Sequence, residues 1–181
     1  MQTYQKNWFK FFVGFFICFL IRLIPFRPPN IEPILATAMP FSKNYGKVAG
    51  FFFAFTSIFL FDLVTNKIGI WTLVTAVTYG LLGVFAAKYF EKKEMKRTNY
   101  VKFAVIGTLA YDALTGLTIG PIFFNQTFLQ ALTGQIPFTL MHLVGNITLA
   151  IILSPLVHKI LVSGQTLKVP FIIKVPNSKL V

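Results

Sequence analysis

The chain has 181 residues, 55% of them apolar and only 12% charged, with a mean hydropathy of +0.70. Soluble domains carry about 25% charged residues, so this composition excludes a water-soluble enzyme, a nucleic-acid binder and a disordered tail. Its net charge of +12, from 17 basic and 5 acidic residues, points in so apolar a chain to the cytoplasmic side of a membrane rather than to nucleic acid.

A membrane-crossing helix needs about 20 mostly apolar residues. The first predicted span, residues 8–24, has an uncharged core from Phe11 to Ile21. It is followed by Arg22, Pro25, Arg27, Pro28 and Pro29 and by no small-x-small cleavage site, so it reads as a retained helix and a stiff turn, not a signal peptide. Cys18, the single cysteine, lies inside this span and excludes a disulfide framework or a cysteine-based zinc site. The second segment, 31–41, has 11 residues and as a helix would cover about 17 Å. It must therefore be shielded by protein or enter the membrane partway. Four further spans are predicted at 46–65, 68–90, 100–119 and 135–161. The expected fold is one all-α, polytopic membrane domain over 1–181, a six-helix bundle with a short second helix.

Lys and Arg set its orientation. With the N-terminus inside, the cytoplasmic side holds Lys6, Lys10, Lys43, Lys47, Lys88, Lys92, Lys93, Lys96, Arg97, Lys102, Lys159, Lys168, Lys174 and Lys179. The outside holds Arg22, Arg27 and Lys67, a split of 14 to 3 that predicts N-in, C-in topology. The run EKKEMKR, Glu91 to Arg97, is then a solvated cytoplasmic loop. The longest outer connection, Gly120 to Gly134, is apolar and aromatic; it is expected either to fold over the outer mouth as a lid or to lie in the interface. The sequons at Asn125–Thr127 and Asn146–Thr148 read as chance, the second because it lies within a span.

Charged and polar groups inside spans are costly and are candidates for function. Arg22 ends the first span, and Asn30 and Glu32 open the second. Asp62 ends the third, and Trp71, Thr72, Thr75 and Tyr79 spread over the outer half of the fourth. Asp112 sits deep in the outer part of the fifth, while His142 and Asn146 share a face of the sixth, one turn apart. All fall in the outer half of the bilayer, and the inner halves are mainly Phe, Leu, Ile, Val, Ala and Gly. This asymmetry predicts a polar cavity open outward and closed inward, a site that holds a solute rather than a continuous pore. Each group also has a plainer role. Asp62 could cap a helix end or pair with Lys67, and Asp112 could pair with Arg22 or His142. Trp71 could be an interfacial belt residue, and Glu32 could start a helix.

Gly46, Gly50 and Ala54 recur at four-residue spacing, Gly80 and Gly83 lie close together, and Gly14 and Cys18 are four apart. Such small residues let helices approach closely. There is no GxxxxGK[ST] phosphate loop, no HExxH and no GxSxG, so neither ATP-driven transport by the chain alone nor catalysis is expected, and no metal site or cofactor is predicted. No repeated half suggests an inverted-repeat carrier.

On the stretches Arg27–Pro40, the glycine-spaced third span ending at Phe61–Asp62, Trp71–Gly83 and Ile136–Val157, the chain resembles the substrate-binding S components of energy-coupling factor (ECF) transporters. The resemblance implies a membrane protein of a prokaryotic plasma membrane that captures a vitamin or cofactor precursor near the outer face. It implies partners too, namely a T subunit in the membrane and two cytoplasmic ATPases, with ATP used by the latter. The solute-binding candidates are then Asp112, His142, Asn146, Asp62, Glu32, Asn30, Trp71, Tyr79 and Arg22. Where the family's first helix carries an AxxxA docking surface, this sequence offers Gly14 and Cys18. The acids would suit a cationic or hydrogen-bond-rich solute, the aromatics a planar ring, and Arg22 and Arg27 a carboxylate. Two other classes remain: a membrane scaffold of the MreD type, with no reason to build a polar cavity, and a small channel or carrier, which would need a polar path through the inner half.

Overall fold

The computed structural model describes residues 7–25 and 31–162. The expectations placed on Lys6, Arg27, Asn30, Lys168, Lys174 and Lys179 lie outside the described residues. The elements are α1 (Trp8–Leu23), α2 (Pro33–Tyr45), α3 (Lys47–Val64), α4 (Ile70–Glu91), α5 (Arg97–Gly116), the short α6 (Ile119–Phe123) and α7 (Phe128–Val157). A π-helical turn, His158–Val162, continues α7. The described chain is helical, without strands. Four segments are long and apolar enough to cross a membrane: Lys47–Val64, Ile70–Glu91, Arg97–Phe123 and Phe128–Ile160. With α1 and α2 they form the polytopic bundle.

The short second segment is the centre of the bundle. Pro33 opens α2 in the first turn, where a missing N–H costs nothing, and ten consecutive residues from Pro33 to Ser42 are buried. Its 13 residues cover only about 20 Å, and the neighbouring helices supply the shielding that such a length requires. The helix also runs further than expected, to Tyr45. Gly46 alone links it to α3, at φ 94°, a backbone region open to glycine.

Helices α3 and α4 meet backbone to backbone. A Cβ placed on Gly83 would stand 2.1 Å from the Gly50 carbonyl oxygen, so the glycines in both spans are used for close approach. At the end where α1, α3 and α5 begin, Phe11, Phe41, Phe53, Phe90, Tyr100 and Phe103 are all buried. Their rings pack edge-to-face and stacked at 5.0–5.8 Å, for example Phe41 with Phe53 and Phe90 with Phe103. By the charge rule this is the end expected at the cytoplasm, and the aromatic layer closes the bundle there.

The outer connection differs from the expectation. Residues 128–134 are not a loop but the first turns of a 30-residue α7, about 45 Å long. Thr127 and Gln130 form a reciprocal capping box: the Gln130 N–H donates to Thr127 Oγ1 and the Thr127 N–H to Gln130 Oε1. That cap starts the helix seven residues before the predicted span. What remains of the lid is α6 and the link to α7, whose Phe124 ring packs 6.2 Å from Trp71 at the start of α4. At the other face Glu94 and Lys96 pair in the exposed loop; the Lys96 hydrogen bond, then its charge, holds the Glu94 carboxyl below its usual range.

Candidate solute site

The polar groups of the outer half separate into two clusters. The first surrounds a cavity of about 550 Å³ at the outer end, lined by the ends of α1, α2, α3 and α4 and by Tyr111 of α5. Arg22, in the last turn of α1, is its organiser. The guanidinium donates to the Ser57 carbonyl and to Glu32 Oε1 at 3.2 Å, and its Cζ lies 4.2 Å from the centre of the Phe61 ring. A guanidinium presents its donors in a fixed fork, so one side chain ties the entry of α2 to α3. Arg22 is buried, and its Nε has no partner among the described residues.

Asp62 sits across the same cavity. Its Oδ2 accepts from Thr72 Oγ1 at 2.6 Å, and that hydroxyl accepts in turn from the Gly69 N–H at 3.1 Å. Asp62 thus joins the end of α3 to the start of α4 through Thr72. The Lys67 ammonium instead lies 5.9 Å from the Phe61 ring. Trp71, Thr75, Asn66 and Lys67 complete the polar and aromatic wall.

The second cluster is a ladder between the antiparallel α5 and α7. His142 Nδ1 lies 2.8 Å from Asp112 Oδ1, and one turn inward Asn146 Nδ2 donates to Thr108 Oγ1 at 2.8 Å. All four residues are at most 3% exposed. Tyr79 approaches from α4, its hydroxyl 3.5 Å from His142 Nε2. Asp112 Oδ2 and Asn146 Oδ1 have no partner among the described residues.

Of the nine residues expected to touch a solute, the structure brings Arg22, Glu32, Asp62 and Trp71 to one cavity. Tyr79, Asp112, His142 and Asn146 stand behind its wall, and Asn30 lies outside the described residues. The residue between the two clusters is Tyr111, which lines the cavity and packs 4.4 Å from the Tyr79 ring and 5.8 Å from the His142 ring. It stood in the sequence beside Asp112 without a polar pattern to single it out. Asp112 also lines a separate groove of about 310 Å³ between α5 and α7. A larger groove, about 990 Å³, runs along Phe12, Val48 and Phe52 at the cytoplasmic end, away from both polar clusters. The expected docking pair lies on the inner side of α1. Gly14 and Cys18 are buried in the bundle because α1 turns its small residues inward, and its exposed face carries Phe9, Phe12, Phe16 and Leu20.

Residues 11–162 match the family described as ECF-type riboflavin transporter, S component. The chain belongs to this family. No curated protein and no solved structure matches it. As an S component it is a multi-pass membrane protein and a transporter subunit, a class that binds a small molecule and works with a T subunit and ATPases rather than catalysing a reaction. Membership removes the scaffold reading, and the buried aromatic layer at the cytoplasmic end is not the polar path that a channel would need.

Proposed function

We propose that this S component captures riboflavin, or a closely related flavin, from outside a prokaryotic plasma membrane and hands it to an ATP-driven partner module. The observation that carries the reading is the outer cavity, which combines three aromatic side chains, Phe61, Trp71 and Tyr111, with Arg22, Glu32, Asp62 and Asn66. Its volume, about 550 Å³, falls within the roughly 300–1,000 Å³ of small-molecule sites. A planar, weakly polar ring system suits the aromatic walls, and a polyhydroxylated tail suits the ring of acceptors and donors. The family description names riboflavin and supports that choice of solute. The aromatic layer opposite supports capture without leakage, so release inward requires the T subunit and ATPases. The exposed aromatic face of α1, with Phe9, Phe12, Phe16 and Leu20, is the surface offered to the T subunit, while Gly14 and Cys18 face the bundle.

The test is a titration of the purified protein with riboflavin, read by quenching of flavin fluorescence, beside mass spectrometry of small molecules released from the protein as isolated. Trp71→Ala and Tyr111→Ala are each expected to weaken binding about tenfold, the scale of one lost aromatic contact. A protein that is isolated empty, binds no flavin and co-purifies with no ATPase would sink the proposal.

A further inference from the structure

Asp112, His142 and Tyr79 form a chain that ends on the cavity wall without entering the cavity. The 2.8 Å contact pairs His142 Nδ1 with Asp112 Oδ1, and the other ring nitrogen, Nε2, faces the Tyr79 hydroxyl. That contact is the carboxylate's one hydrogen bond among the described residues, since Oδ2 has none. The imidazole is also held edge-on between the rings of Tyr111 and Phe138, at 5.8 and 5.6 Å. Tyr79, whose hydroxyl approaches His142 Nε2, lays its ring 4.4 Å from that of Tyr111. Tyr111 is therefore braced on two sides, by Tyr79 from α4 and by His142 from α7, and it alone of the four faces the cavity.

We propose that Asp112 and His142 are positioning residues that act on the solute only through the Tyr111 ring, which they hold in place as the cavity wall. The inference rests on the reading of the outer cavity as the solute site. It gives a role to an acid and a histidine that are buried in apolar helices and do not line the outer cavity. A side chain that orients a wall rather than contacting the ligand leaves a recognisable signature: its effect vanishes once the wall is gone.

The experiment is a double-mutant cycle on the full chain in detergent, with riboflavin as the probe. Asp112→Ala is expected to weaken binding about tenfold, as loss of one buried hydrogen bond would, and Asp112→Asn, which keeps a hydrogen-bond partner for Nδ1, to stay within about threefold of the parent. In the Tyr111→Ala background, Asp112→Ala should add no further loss. Full additivity of the two substitutions would overturn the proposal, and so would parent-like binding by Asp112→Ala. A second readout is independent of the solute. The tyrosine band in near-UV circular dichroism should change in Asp112→Ala, which removes no tyrosine, and be restored in Asp112→Asn. Absence of riboflavin binding by the parent protein would overturn the solute assignment alone. The circular dichroism would then decide the positioning role, with an unchanged tyrosine band in Asp112→Ala counting against it.

Discussion

Asn146 and Thr108 make a buried rung whose energetics are asymmetric. Each side chain is 1% exposed, and the Asn146 amide already leaves its Oδ1 without a partner among the described residues. Removing one member strands the other in an apolar helix interface, whereas replacing both by apolar groups strands nothing. Thr108→Val or Asn146→Leu alone is therefore expected to lower stability by about 1–3 kcal/mol, and the double variant to return close to the parent. Thermal unfolding in detergent measures this, and a double variant as unstable as the sum of the singles would contradict it. The same rung marks what a sequence conveys about single residues. His142 and Asn146 announce a shared face because neither belongs in an apolar span without cause. Thr108 and Asp112 carry the identical four-residue spacing, but threonine in a helix commonly donates to its own preceding turn, as Thr37, Thr78 and Thr115 do here. A threonine turned toward a neighbouring helix looks no different in sequence. Tyr111 was hidden for a related reason: its role comes from two neighbours on other helices, and spacing along α5 holds no trace of them.

At the scale of elements, the glycine spacing was informative and the helix ends were less so. Gly50 and Gly83 belong to separate small-residue patterns, and the structure shows why both lack a side chain: α3 and α4 touch there through backbone atoms. Gly83→Ala is expected to destabilise the protein by about 1–3 kcal/mol, because the new methyl can be accommodated only by moving two packed helices apart. Gly107→Ala is the matched control. Its nearest neighbour to an added Cβ is Leu35 Cδ1 at 3.6 Å, an ordinary contact, so the gain in helix propensity should leave stability unchanged or slightly higher. Equal losses in the two variants, read as shifts in detergent melting temperature, would refute the close-approach explanation. The length of α2 is legible as a problem, an apolar helix too short to cross, and the answer, burial from Pro33 to Ser42, follows from the physics of unshielded ends. The start of α7 was not read, although Thr127 and Gln130 spell the capping box; the apolar, aromatic composition around them suggested a membrane-surface loop. Composition reports where a segment can lie, and local capping decides whether it is helical.

For the whole molecule, charge and aromatic packing single out the same end of the bundle. The basic residues at the ends of α2 and α4 and in the loop to α5 mark one face as cytoplasmic, and the buried aromatic layer closes the bundle at that face. The sparse polar groups gather at the opposite face, around a cavity built from four helix ends. Orientation and cavity direction are therefore coupled, and a protein inserted the other way would open inward. Cysteine labelling separates these outcomes, because Cys18 is only 2% exposed and the parent protein gives little background. In a Cys18→Ala chain, Lys67→Cys should react with a membrane-impermeant maleimide from outside intact cells. Lys93→Cys, in the exposed loop between α4 and α5, should react only after the membrane is opened. Reversal of the two patterns would mean that the cavity faces the cytoplasm, and capture of an external solute would then be ruled out whatever its chemistry. Agreement would fix the one premise that neither packing nor family membership supplies, namely which side of the membrane the Arg22, Glu32 and Asp62 end of the bundle meets.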